Sequence, residues 1–146
     1  MANEQVDKKD TKQMNDLQQK YMQFQMFDQQ MKQCRQQLEA VQSQMAEVQA
    51  VLLALDDVSK SKIGAEILAP LSAGIFVRAE LKDNRLLNVN VGSGTIVEKS
   101  VQDTKALLER QILDLAKLNE DLLGQFTSTA GEAERLQAEL QESSPE

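Results

Sequence analysis

Histidine and tryptophan are absent from this 146-residue chain, cysteine occurs once, proline twice, and only 3% of residues are aromatic. Without histidine, neither a Cys/His zinc site nor a histidine-based catalytic group can be built. Cys34 has no partner for an internal disulfide. The scarcity of aromatics, with a first third crowded by glutamine, excludes a thick globular core. No apolar run approaches the roughly 20 residues that span a bilayer, and the polar start MANEQVDKKD lacks the apolar segment of a signal peptide. The chain is therefore expected in the cytoplasm, without a membrane. With 16 basic against 23 acidic residues the net charge is -7, which excludes free nucleic acid as a partner, because phosphate binding needs a basic stripe. No nucleophile stands at a workable spacing from a base. No catalytic residue, metal ligand set or cofactor is expected.

What the chain does contain is heptad periodicity. From about Asp10 to Asp57 there is neither glycine nor proline, and steps of three and four connect Leu17, Lys20, Phe24, Phe27, Met31, Cys34, Leu38, Val41, Met45, Val48, Leu52 and Leu55. Only Lys20 interrupts this apolar seam, which predicts a coiled-coil helix over 10–57. A competing register through Met14, Leu17, Tyr21 and Phe24 predicts a phase shift near Phe24. Residues 1–10 lack periodicity and read as a frayed end. Ser100 can cap a second helix, with Asp103 three residues on. Its seam, Val101, Leu108, Ile112, Leu115, Asn119, Leu122, Phe126, Thr129, Ala133, Leu136 and Leu140, predicts a helix over 101–142, and Ser143-Ser144-Pro145 ends it.

At ~1.5 Å per residue each helix makes a rod of ~65–70 Å. Antiparallel pairing of Asp57 with Val101 sets Met14 against Ser144, so both helices run out together. Gly124 and Gly131 weaken the second helix by about 1 kcal/mol each. The small residues between them are expected to accommodate Phe24 and Phe27 of the facing helix and to leave the outer third looser.

Between the helices the period changes to two. Ile75, Val77, Ala79 and Leu81 alternate with Phe76, Arg78 and Glu80, and Leu87, Val89 and Val91 alternate with Asn88 and Asn90. This pattern predicts an antiparallel strand pair joined by a hairpin at Lys82-Asp83-Asn84-Arg85. Outer runs 67–71 and 95–99 attach through Ser72-Ala73-Gly74 and Gly92-Ser93-Gly94, with Pro70 holding the first at an edge. A four-stranded sheet with one apolar face must either find partners in other chains or close a small private barrel, for which four strands are few.

Other motifs have ordinary readings. Val91-Gly92-Ser93-Gly94-Thr95 lacks phosphate-loop spacing and reads as a tight turn. Cys34 reads as a small buried hydrophobe, and Asp56-Asp57 as a solvated helix end. Met14, Met22, Met26 and Met31, four of the six methionines, cluster with Leu17, Tyr21, Phe24 and Phe27. The spread of that cluster exceeds one seam, leaving Met22 and Met26 for an adaptable exposed surface.

The run Ile67-Leu68-Ala69-Pro70-Leu71-Ser72-Ala73-Gly74-Ile75-Phe76-Val77-Arg78-Ala79-Glu80-Leu81, followed by Asn88-Val89-Asn90-Val91-Gly92-Ser93-Gly94 and Val97-Glu98-Lys99, resembles the alpha class of archaeal-type prefoldin. The flanking helices extend the resemblance over nearly the whole chain. It implies an α+β fold with one domain over 1–146: a long antiparallel two-helix coiled coil with two β-hairpins (67–99) between the helices that join an oligomeric β-barrel platform. It further implies an ATP-independent holding chaperone, not an enzyme, working with prefoldin beta subunits in a hexamer of two alpha and four beta chains. Such a chaperone captures unfolded client proteins at the coiled-coil tips and passes them to a group II chaperonin. Carried over by region, the client-binding positions are Met14, Leu17, Tyr21, Met22, Phe24, Leu136 and Leu140, and the subunit-assembly positions are Phe76, Val77, Leu81, Leu87, Val89, Val91 and Ile96. The acidic end of the second helix, Glu132, Glu134, Glu139 and Glu142, would keep tips apart. The competing reading is a structural coiled-coil adaptor without client-holding activity.

Overall fold

The computed structural model describes the backbone of residues 2–143 and the side chains of residues 7–142. Ser144 and Pro145, expected to stop the second helix, lie outside them. The order of elements is α1 (Ala2–Lys60), β1 (Glu66–Ser72), β2 (Ile75–Glu80), β3 (Leu86–Asn90), β4 (Ile96–Ser100) and α2 (Val101–Ser143). Helix α1 begins well before Asp10, so residues 2–10 of the stretch read as a frayed end are helical. Lack of periodicity removes a buried face, but without glycine or proline nothing there interrupts the backbone ladder. The fold divides into two compact units, 1–42 with 117–146 and 43–116.

In the first unit the α1 seam falls where the heptads put it. Leu17, Lys20, Phe24, Phe27 and Met31 are half-buried, and Cys34, Leu38 and Val41 are buried. From α2, Leu122, Ala133 and Leu136 are buried between half-buried Asn119, Phe126, Thr129 and Leu140. The antiparallel count holds to within a few residues. Cys34 Sγ donates to the Leu122 carbonyl at 3.1 Å, the Arg35 guanidinium stands 5.7 Å from the Phe126 ring centroid, and Lys20 Nζ lies 3.6 Å from Glu139 Oε2.

Two expectations for this unit are corrected. The seam does not shift phase at Phe24: Met14 and Tyr21 are exposed, while Lys20 keeps its seam position. Lys20 is half-buried, and its ammonium reaches the Glu139 carboxylate, so a lysine is tolerated there. Nor do the glycines make room for aromatics. A Cβ added at Gly124 or Gly131 would meet no heavy atom within 4 Å.

In the second unit, Met45, Val48 and Leu52 are half-buried and Leu55 is buried on α1; on α2, Val101 and Thr104 are buried and Leu108, Ile112 and Leu115 half-buried. Thr104 was not legible as a seam residue because it is polar. Its hydroxyl donates to the Ser100 carbonyl at 2.8 Å, which leaves its methyl free to pack. Ser100 caps α2 as its sequence predicts, with Oγ accepting the Asp103 N–H at 3.0 Å. At the other junction, Ser59 and Ser61 hydroxyls donate to the carbonyls of Asp56 and Asp57 at 2.8 and 2.7 Å, and the Ser61 N–H reaches the Asp57 and Val58 carbonyls, so part of the last turn of α1 is capped locally.

Asp56 is not merely a solvated terminus, because the Lys105 ammonium hydrogen-bonds its Oδ1. That hydrogen bond, then the Lys105 charge, with Lys60 adding to it against partial desolvation, holds the carboxyl below its ordinary 3.8. A carboxyl lowered in the folded state contributes stability that is present above the unfolded value and lost as pH falls through the folded one. Asp56→Asn is therefore expected to lower the melting temperature slightly at neutral pH, the deficit disappearing once the pH is well below 3.8. Circular dichroism melts across that range check it; a deficit that persists in acid would contradict the ion pair as its cause.

The strands form two separate two-stranded antiparallel sheets, β1 with β2 and β3 with β4. The expected pairing of β2 with β3 across a hairpin at residues 82–85 does not occur. Instead Asp83 Oδ1 accepts the N–H groups of Arg85 and Leu86 at 2.8 and 3.1 Å, and Asn84 Nδ2 donates to the Ser61 carbonyl at 3.0 Å. This local Asx-type capping turns the segment into a connector rather than a hairpin loop. Both hairpins close where Ala73-Gly74 and Ser93-Gly94 take positive φ, as a primed turn requires.

Candidate interaction surfaces

Register decides which strand residues share a face. Ile67 opposes Ala79 and Ala69 opposes Val77, an apolar face on the first hairpin. Its other face sets Leu68 against Arg78 and Pro70 against Phe76, with Glu66 within 3.6 Å of Arg78 at one end. On the second hairpin Leu87 opposes Lys99 and Val89 opposes Val97, whereas the reverse face pairs Asn88 with Glu98 and Asn90 with Ile96. The first hairpin is thus apolar on both sides and the second mainly on one.

Of the residues predicted for assembly, Phe76, Val77, Val91 and Ile96 are exposed in the single chain and Leu81, Leu87 and Val89 are half-buried. The sequence reading missed Leu68, Leu71, Ile75 and Leu86, also exposed. Their signal was present in the apolar residues at successive positions of 67–71 and 75–77, a run that one-sided burial does not need. Clustered exposed apolar side chains of this extent make the hairpins a candidate association surface. No private barrel closes over them.

In the helical region, Met14, Tyr21, Met22 and Met26 are exposed, Met22 by 66%. Leu17, Phe24 and Leu140 are half-buried. Leu136, placed among the client-facing positions by region, is only 7% exposed and belongs to the seam. Met22 and Met26 stand one turn apart, and Met14 and Tyr21 two turns apart, so each pair shares a line along α1. The last turn of α2 contains no basic residue to offset its negative helix end. Among the described residues no cluster of acidic or cysteine side chains is placed to hold a metal ion, and no helix is long and apolar enough to cross a membrane.

Two long helices with a shared apolar seam and, between them in the chain, two separate two-stranded hairpins with exposed apolar side chains define a coiled-coil and β-hairpin class of protein. The family described as Prefoldin subunit matches residues 27–146. The chain belongs to the prefoldin family, a family of chaperones rather than enzymes. It is similar to prefoldin subunit alpha of Methanobrevibacter smithii, 33% identical over 114 residues that cover 73% of this chain and 77% of that one. It is also similar to prefoldin subunit alpha of Methanococcus aeolicus, 29% identical over 127 residues and covering 87% and 86% of the two chains. Its fold is like that of a chain in the cryo-EM structure of filamentous PFD from Methanocaldococcus jannaschii, with a TM-score of 0.71 at 18% identity, covering 82% of this chain and 98% of that chain.

Proposed function

We propose that the chain is the alpha-type subunit of an ATP-independent holding chaperone, assembled through its hairpins with prefoldin beta subunits as two alpha and four beta chains. In this reading it works in the cytoplasm, binds nonnative proteins through the exposed surface of Met14, Tyr21, Met22 and Met26, and releases them to a group II chaperonin. The observation that carries it is that surface. Four large, adaptable apolar side chains stay in water although the seam beside them is filled. Leu17, Phe24 and Leu140 border it, while Leu136 serves by holding the helices together. Weak apolar contacts repeated over several subunits gain avidity, because later contacts are intramolecular, and each stays weak enough to release.

The test is aggregation of a chemically denatured client diluted into buffer without ATP, followed by light scattering. Replacing Met14, Tyr21, Met22 and Met26 by serine is expected to leave the oligomer intact and to abolish suppression, returning scattering to the level of buffer alone. Undiminished suppression by the serine variant would remove these residues from client binding and favour a spacer role for the helices.

A further inference from the structure

Beside the seam of the first unit lies an open groove of about 550 Å³. Gln30, Gln33 and Gln37 wall it on α1 and Gln125, Ser128 and Thr129 on α2; Gly124 opens its side and Cys34 lies at its floor. No charged side chain lines it. The Cys34 thiol is engaged with the Leu122 carbonyl, and a Cβ added at Gly124, which lines the groove, would meet no heavy atom within 4 Å, so there is room there for a side chain.

The lining has a definite chemistry. A glutamine side chain ends in a carbonyl acceptor and an NH₂ donor, the same groups a peptide bond presents. Four such amides and two hydroxyls offer donors and acceptors to a main chain without requiring any side-chain identity. An anion would find no cation here, a metal ion no carboxylate, and a compact apolar ligand a wall of amides. The three α1 glutamines also continue the exposed methionine surface. Met22, Met26, Gln30, Gln33 and Gln37 follow one another by four, four, three and four residues, a single line along the helix, and all are exposed. At ~1.5 Å per residue that line is about 22 Å long, the span of about seven residues of extended chain.

We infer that this groove is a main-chain subsite for an extended segment of nonnative polypeptide. The segment's apolar side chains rest on Met22 and Met26 while its peptide groups hydrogen-bond to Gln30, Gln33, Gln37 and Gln125. The inference rests on the client-holding reading above and adds a sequence-independent component to it. Nonnative chains share one property regardless of sequence, namely unpaired backbone groups.

Gly124 and Gly131 provide the test, since both are open helical glycines and only Gly124 lines the groove. In the full chain within its assembled oligomer, Gly124→Leu fills the groove and Gly131→Leu does not. The dissociation constant for fluorescently labelled, carboxymethylated lactalbumin, measured by anisotropy, is expected to rise about tenfold for Gly124→Leu, the effect of losing one or two hydrogen bonds. It should change less than about twofold for Gly131→Leu. A photo-crosslinking residue at Gln33 is expected to capture the client and one at Glu39, on another face of α1, is not; this arm decides alone if Gly124→Leu does not fold. Equal affinities of the two leucine variants, or equal capture from Gln33 and Glu39, overturn the groove. If the serine variant of the methionine and tyrosine surface loses the client in the same assay while Gly124→Leu binds normally, client holding stands and the groove falls. If both bind normally, both readings fall.

Discussion

Replacing Phe76 and Ile96 together by aspartate is expected to leave the helices formed and the oligomer dissociated. Both side chains are more than half exposed in the single chain, Phe76 by 56%, on hairpins that have no cover of their own. Each large apolar side chain buried on association contributes about 1.5–3 kcal/mol, and an unpaired carboxylate in its place costs more through desolvation. A combined loss of at least ~4 kcal/mol raises the dissociation constant about a thousandfold, which frees the subunits at concentrations below that raised constant. Sedimentation velocity reads the result directly. Leu53→Asp, on an exposed position of α1, should leave the sedimentation coefficient unchanged. If the double variant sediments as the wild type does, the hairpins are not the assembly surface.

The second large effect concerns the seam. Leu122→Ala is expected to cost about 2–3 kcal/mol, the low end for a buried leucine, because only one facing helix must close around the vacancy. Leu118→Ala, one turn away, should change stability by less than about 0.5 kcal/mol. The two leucines differ in environment, not chemistry: Leu122 is 6% exposed and Leu118 46%. Urea unfolding followed by circular dichroism at fixed protein concentration separates them, since association contributes to apparent stability. Equal costs at the two positions would mean that the seam has been drawn on the wrong face.

That seam was readable because a heptad repeat states both the conformation and the buried side. From Leu17 to Leu55 each named position is less exposed than its neighbours on the outer face, including Lys20, the one residue that looked like an interruption. The competing register through Met14 and Tyr21 was built on apolar character alone. It failed because exposed methionine and tyrosine are tolerated on a helix whose seam is already filled. Leu136 shows the converse error, in which nearness to the chain end was taken for accessibility.

Strand pairing was less legible for a different reason. Alternation identifies faces but not neighbours, so the runs 75–81 and 87–91 looked like natural partners while β1 and β4 hold those places. The deciding residues were the turn-formers. Ala73-Gly74 and Ser93-Gly94 supply consecutive positive-φ positions, whereas Asp83 spends its carboxylate on the N–H groups of Arg85 and Leu86. The family resemblance, with two hairpins, led to the observed arrangement where the alternation did not. Lys105 with Asp56 and the glutamine-lined groove were invisible for a third reason. Each depends on residues far apart in the chain, brought together only by the pairing of the helices.

A two-stranded sheet offers an unsatisfied backbone edge on each of its strands, and this chain carries two such sheets with bare apolar sides. Isolated hairpins of this kind are marginal in water, and open edges invite pairing with unrelated chains. A chain of this kind, left with nothing to pair with, keeps those edges and apolar sides in water, where unrelated strands can dock on them.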